Sequence, residues 1–423
     1  MDKRSIPPKI QTLIKPPPPA IQTHILPNGL TMYELRAGTQ PIIKLEIMFR
    51  AGRPFESNKQ VGRFTNHIMR EGTLSRNAAR IAEQIDFYGA SLLISESMDY
   101  SGFTLFCLRK HLPRVLPILA DVLTNPNFDQ LEIDRFRRNA LKKLQHDLSK
   151  NDFVAFREIT NMIFGDGTPY GYNSTEEIIE AITRDQLIDH YKKCYTAGNG
   201  LVFISGKTDD AMLKMVSEFL GTVQNGPILH CNYDLITPDI QERKTVPSKN
   251  KHQLAIRLGC RSLVRTHPDF HGLYILNTIL GGYFGSRLMT NIREDKGYTY
   301  NIYSSLDTML YDASMTISLE ADAAYLEDSF KQIHQEMNSL CQDLVPEEEL
   351  KMVKNYLLGY LMTALDGPLN ASELIKSFIL EGQNMDDFNG LLNTIIQIDS
   401  TDIRDLAQRY LNPESFAELV VGI

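Results

Sequence analysis

The sequence is short of cysteine, and the five it has, Cys107, Cys194, Cys231, Cys260 and Cys341, form no C-x-x-C pair. An odd, scattered set in mostly apolar surroundings excludes a disulfide framework. It reads as buried thiols in a reducing compartment, the cytoplasm first, with the periplasm left open. No apolar run approaches the roughly 18 residues of a membrane span. The first residues, MDKRSIPPKIQTLIKPPPPAIQTH, are basic at the start but contain no apolar core segment, so they do not read as a secretory signal. Positive charge is not in surplus either. The formal net charge is -8, and a phosphate backbone calls for a dense basic face, so nucleic acid is not the expected partner.

The usual catalytic signatures are missing as well. A G-x-S-x-G elbow does not occur, and Cys107 and Cys260 fall in strand-like apolar runs that suit core thiols. A zinc hydrolase needs nitrogen ligands, a carboxylate ligand and a base for the metal-bound water. Neither H-x-x-E-H nor H-E-x-x-H is present. His67 has Arg63 four residues before it, a permanent cation that repels zinc, and Asn66 directly before it, an amide that takes no proton. His267 and His271 have helical ligand spacing with Asp269 between them. Pro268, however, places His267 ahead of the helix, and Asp269 suits a cap.

What the chain does have is length and a repeated order of elements. Its 423 residues exceed one compact core and fit two domains of about 200 residues each. Pro16 to Pro19 favour an extended tail over residues 1–20, either laid along a partner or simply unstructured. Residues 21–221 form the first expected domain. Asn28-Gly29 marks a hairpin, 42–49 and 102–108 read as strands, and 61–70, 78–88, 112–123, 129–148 and 151–163 read as helices. Residues 222–250, with Pro227, Pro238 and Pro247 and a polar run, read as a linker that holds some extended structure. In 251–423 the order returns: strand 253–258, helix 271–280, strands 300–304 and 313–320, helices 325–340 and 347–365. The expected fold is α+β, two similar domains, each an antiparallel sheet covered by helices on one side.

The second half carries the more distinctive polar group, Leu280-Gly-Gly-Tyr-Phe-Gly-Ser-Arg through Arg293 and Gly297 to Tyr300. Gly281, Gly282 and Gly285 permit a tight loop with exposed backbone N–H groups. Arg293 is expected near a helix end, which Gly297 closes, and Tyr298 and Tyr300 on one face of the next strand. Such an arginine donates two parallel hydrogen bonds to a carbonyl or carboxylate. From the residues alone, a surface Arg–Glu pair with core tyrosines is the favoured reading.

From about Ile21 to Phe416 the sequence resembles the pitrilysin-type metallopeptidases, in particular the branch of the mitochondrial processing peptidase and the paired bacterial peptidases. The stretch that resembles their inverted zinc motif is Gly62-Arg63-Phe-Thr-Asn66-His67-Ile-Met-Arg-Glu-Gly72-Thr73, with Gly72-Thr73 setting the register. The resemblance places Arg63 at the first zinc ligand, Asn66 at the base, His67 at the second ligand and Gln145 near the third. Metal binding in this chain is therefore not expected. It also makes Arg293 and Tyr300 the family's substrate-binding pair and keeps the glycine loop with Gly281 and Gly282. The implied role is a non-catalytic subunit that binds peptide beside a homologous H-x-x-E-H subunit, whose zinc does the chemistry. A non-enzymatic scaffold or assembly subunit is the second implied role. Self-pairing of the isolated chain is compatible with both.

Overall fold

The computed structural model describes residues 16–17, 19–233, 243–248 and 253–422. Residues 1–15 and 18 of the expected tail, and 234–242 and 249–250 of the expected linker, lie outside the described residues.

The first half supplies strands β1 (Gln22–Ile25), β2 (Thr31–Arg36), β3 (Ile42–Phe49), β4 (Ser91–Glu96), β5 (Ser101–Leu108) and β6 (Gly200–Gly206). Its helices are α1 (Val61–Arg70), α2 (Ala78–Phe87), α3 (Leu112–Thr124), α4 (Gln130–Asp147), α5 (Asn151–Phe164), α6 (Glu176–Glu180), α7 (Arg184–Cys194) and α8 (Asp210–Leu220). The second half supplies β7 (Lys244–Val246), β8 (Leu254–Arg261), β9 (Ile302–Thr308), β10 (Ala313–Ala321) and β11 (Ala417–Val421). Its helices are α9 (Phe270–Asn277), α10 (Leu326–Gln342), α11 (Glu347–Ala364), α12 (Pro368–Leu380), α13 (Met385–Gln397) and α14 (Ser400–Tyr410).

The first sheet runs β1-β2-β6-β3-β5-β4 and the second β7-β11-β8-β10-β9. Omitting β1, the two orders match strand for strand, so the duplication read from the sequence is a duplication of topology. Both sheets are antiparallel except at one equivalent place. β2 runs parallel to β6, and β7 runs parallel to β11. β7 falls inside the stretch read as a linker, and its three residues extend the second sheet.

One face of each sheet carries its own helices. Ile43, Leu45, Ile47 and Phe49 of β3 point into the first core with Phe64, Ile68, Leu116 and Leu119. Ile256 and Leu258 of β8 point into the second with Leu273, Leu276, Phe330 and Ile333. The alternate residues of both strands point the other way, and that face is not left to solvent. α5 of the first half lies on the second sheet, packing Ala155, Ile159 and Ile163 against Ala255 and Leu419. α12 of the second half lies on the first sheet, with Ala371 and Ile375 against Leu35, and with Ile379 and Leu380 beside Met48 and Phe203. Each half thus gives the other a helix. The expectation of helices on one side describes what each half does for itself, and the exchanged helix covers the second face.

Candidate functional site

α1 starts at Val61 because Glu56 takes up its free donors: the Glu56 carboxylate accepts the amides of Gln60 (3.1 Å) and Gly62 (2.8 Å). The helix buries Val61, Phe64, Thr65, Ile68 and Met69. That phase leaves Arg63 exposed, Asn66 wholly buried and His67 at the margin.

Asn66 donates from Nδ2 to the carbonyls of Ser95 and Gly102 (both 3.3 Å) and accepts the Tyr195 hydroxyl at Oδ1 (3.2 Å). An ionised carboxylate here would face two carbonyls with nothing to donate. The site is built for an amide, not for a base. His67 Nε2 lies 3.3 Å from Glu96 Oε1, and its ring stacks on Phe136 of α4 at 4.6 Å. Arg63 makes no hydrogen bond or ion pair among the described residues.

Arg63, Asn66 and His67 are brought together, and Gln145 is not among them. Its amide donates to Glu176 of α6 (3.0 Å) at an exposed position. Phe136 is the α4 residue that meets His67. Nine residues further along, Gln145 is two and a half turns away, roughly 13 Å along the axis and on the opposite side of the helix. Sequence reasoning missed Glu96 and Phe136. Neither has a motif spacing to His67, since both reach it from other elements.

This cluster does not fit zinc. It offers one imidazole and one carboxylate beside a permanent cation and an amide. No group of three or more His, Cys, Asp or Glu side chains among the described residues could hold a metal ion. His267, Asp269 and His271 do not form one either: Asp269 accepts from Arg409 (2.5 Å) and Tyr410 (2.6 Å), and its backbone amide donates to His267 Nδ1 (3.1 Å). Burial pushes the thiols of Cys107 and Cys260 up to about 12, which suits core residues and not nucleophiles.

In the second half α9 runs on into a π-helical turn, Thr278–Gly282. Gly281 and Gly282 therefore end a helix and do not lie in the expected tight loop. Gly281 is buried, and a Cβ there would stand 2.7 Å from the backbone nitrogen of Ser304, so glycine lets the helix end press on β9. Gly282 is exposed. A second π-helical segment, Met289–Asp295, carries Arg293 in its last turn, and Gly297, at φ +68°, turns the chain out of it.

The Arg293 guanidinium lies 4.7 Å from the ring centre of Phe284 and 5.2 Å from that of Tyr300. Tyr300 is 85% exposed and Phe284 61%. Arg293 has no ion pair among the described residues, so a surface Arg–Glu pair with Tyr300 in the core is not what forms. Tyr298 and Tyr300 do not share a strand face, because β9 begins only at Ile302. The Thr299 hydroxyl donates its one proton to the nearer Glu320 carbonyl (2.6 Å), with the Asn301 carbonyl also in reach (2.9 Å), a contact that takes the place of ladder pairing here. Tyr298 turns inward, its hydroxyl on Asp328 (2.8 Å) and its ring stacked on Tyr325 at 4.4 Å. Phe284, missed in the sequence, completes a cation held between two exposed rings.

Residues 35–170 match the model of "Insulinase (Peptidase family M16)" and residues 181–357 that of "Peptidase M16 inactive domain". An "Uncharacterized zinc protease YmxG" of Bacillus subtilis is 25% identical over 365 residues, 86% of this chain and 88% of that protein. A "Non-peptidase homolog YmxG" of Helicobacter pylori is 23% identical over 410 residues, 92% of this chain and 94% of that protein. The fold matches a peptidase M16 inactive domain from Pseudomonas fluorescens with a TM-score of 0.86 at 20% identity, covering 95% of this chain and 98% of that one. The chain belongs to the M16 peptidase family, and the match to that family's inactive domain runs from the last elements of the first half into the second.

Proposed function

We propose that this chain is the non-catalytic, substrate-binding subunit of a heteromeric zinc endopeptidase, paired with a homologous subunit that carries H-x-x-E-H. The observation that carries this reading is a contrast between the halves. α1 presents the Arg63 guanidinium where a zinc ligand is expected, while Arg293 stands half-buried beside the exposed rings of Phe284 and Tyr300 with no carboxylate partner among the described residues. A guanidinium fixed by two rings loses little freedom when it binds, and its planar donors suit a peptide carbonyl or carboxylate. In the complex, Arg293 and Tyr300 hold an extended peptide while the partner's zinc activates water. Closure of the two subunits excludes solvent and strengthens those hydrogen bonds. Gly281 and Gly282 set the position of the segment that bears Phe284.

The relative named a non-peptidase homologue favours a second reading, a scaffold subunit in a persistent complex without peptidase activity. Mixing the purified chain with an H-x-x-E-H subunit separates the two. Peptide cleavage that neither chain gives alone supports the first reading. A stable complex that cleaves nothing supports the scaffold.

A further inference from the structure

Beside α1 lies a pocket of about 280 Å³, lined by Arg53, Arg63 and Arg157 with Tyr172, Phe153 and Phe156. Three guanidiniums and two carboxylates, Glu56 and Glu96, line one small space, and none of the three arginines makes an ion pair within 4 Å among the described residues. Arg53 donates to the carbonyls of Pro169 (3.3 Å) and Tyr172 (3.0 Å) and stacks on the Tyr172 ring at 4.3 Å. Arg157 donates to the carbonyl of Ser174 (2.7 Å) and sits 5.6 Å from the Phe153 ring. Arg63 makes neither hydrogen bond nor ion pair among the described residues.

The acids nearby are committed elsewhere. Glu56 caps α1 and accepts the Tyr172 hydroxyl (2.7 Å), and burial holds its carboxyl above the usual range against those bonds. Glu96 faces His67 (3.3 Å) and the Asn66 amide (3.5 Å). Glu158, next to Arg157 in sequence, pairs with Lys244 (2.6 Å). Burial lowers the proton affinity of Arg157; Glu158 offsets part of this and Arg53 adds to it. Neutral backbone carbonyls fix the directions of Arg53 and Arg157 without cancelling their charge. Phe153 and Phe156 supply apolar walls of the kind that suit a side-chain stem. A cation group of this kind is stabilised when an anion enters, and planar guanidiniums select a carboxylate by paired donors.

We propose that this pocket binds a carboxylate of a peptide, from an acidic side chain or from the chain terminus. Its position, at the place where the family's zinc helix lies, makes it a second anchor for the peptide that Arg293 and Tyr300 hold. In that respect the proposal rests on the peptide-binding reading above.

The test uses the full chain alone, so it does not depend on a catalytic partner. N-acetylglutamate amide and N-acetylglutamine amide are compared by thermal shift. Two labelled peptide pairs are compared by fluorescence anisotropy. One is blocked at both ends and differs only in Glu against Gln. The other has no acidic side chain and differs only in a free or amidated C-terminus. The glutamate compounds are expected to bind about tenfold more tightly than their amides, a difference that shrinks with salt. Arg63→Gln, at an exposed position without a hydrogen bond or ion pair among the described residues, should abolish the difference and leave folding intact. A free terminus preferred over its amide assigns the terminal carboxylate as a source; indifference there assigns the side chain alone. Equal binding of acid and amide throughout overturns the proposal, as does a preference that survives Arg63→Gln. A shift with N-acetylglutamate amide but no peptide binding supports the pocket and overturns the peptide-binding reading.

Discussion

Lys376 of α12 reaches Glu46 of β3 across the junction of the two halves, Nζ to Oε1 2.5 Å. Glu46 also meets Lys44 (2.6 Å), and Glu373 of α12 meets both Lys44 and Lys376, closing a neutral group of two acids and two lysines. Burial would lower the Lys376 pKa, but the two carboxylates outweigh it and hold it raised. The other half repeats the device: buried Arg257 of β8 pairs with Asp152 of α5. On each central strand a basic residue points to the exchanged face and meets an acid of the arriving helix. Such pairs add little net stability over apolar packing, but they penalise any other seating of the helix.

Removing one member leaves the charges unbalanced, and Lys44 and Glu46 are wholly buried. Glu46→Ala is expected to cost about 3–5 kcal/mol, because Lys44 loses its nearest fully buried carboxylate. Lys376→Met should cost less once Glu46 is gone than it does in the native chain. Urea unfolding of the two single variants and the double variant measures this coupling. Additive effects would show that the group does not act as a unit.

A second junction titrates. Asp99, in the turn between β4 and β5, accepts the Tyr170 hydroxyl and the backbone amide of Leu310 (2.9 Å), from the β9–β10 turn of the other half. Burial raises its pKa to about 6 from an ordinary 3.8, against those hydrogen bonds. The folded state therefore holds this proton more tightly than the unfolded chain does. The resulting stability is complete below about pH 4 and is lost as pH rises through about 6, a change of about 3 kcal/mol. Urea midpoints between pH 4 and pH 7.5 should fall more steeply with pH in the native chain than in Asp99→Asn. Parallel curves would show that Asp99 is not the group responsible.

The elements that frame the site were legible where one face is apolar. α1 was expected at 61–70 and forms at Val61–Arg70, because Val61, Phe64, Ile68 and Met69 give an unbroken helical stripe. β3 was expected at 42–49 and forms at Ile42–Phe49, where a run buried on both faces admits only a central strand. The exchange of α5 and α12 was not legible. An apolar stripe such as Ala371, Ile375 and Phe378 shows that a helix is covered, not which sheet covers it. The placement of Gln145 depended on helix phase, and half a turn separates it from Phe136. Tyr300 was expected in a strand because Gly297 ends the preceding helix and the order of elements repeats, but the Thr299 hydroxyl, which bonds the Glu320 carbonyl, takes that segment out of the ladder.

The chain alone is expected to hold no stoichiometric zinc after equilibration and dialysis. His67 offers one nitrogen, Glu96 one carboxylate, and the Arg63 charge opposes a divalent cation at the same helix face. Metal analysis of the purified chain checks this. One tightly bound equivalent would overturn the assignment of the chain as non-catalytic.

Arg293 and its two rings separate binding from folding. Tyr300 is 85% exposed and Phe284 61%, so Tyr300→Ala and Phe284→Ala should change unfolding free energy by less than about 0.5 kcal/mol. Under the proposed role their effect would fall on peptide binding, through the loss of the stack that fixes the guanidinium. On the same reading Arg293→Ala should remove charged hydrogen bonds worth about 2–4 kcal/mol in the transition state of the paired enzyme, a loss of tens-fold or more in kcat/KM. Arg293→Lys keeps the charge but not the planar pair of donors, so it should restore only part of the activity. If the reconstituted complex cleaves peptide equally well with Arg293→Ala, the peptide is held elsewhere and the role given to this residue is wrong. If Tyr300→Ala lowers activity with an unchanged urea midpoint, the two exposed rings serve the substrate and not the fold.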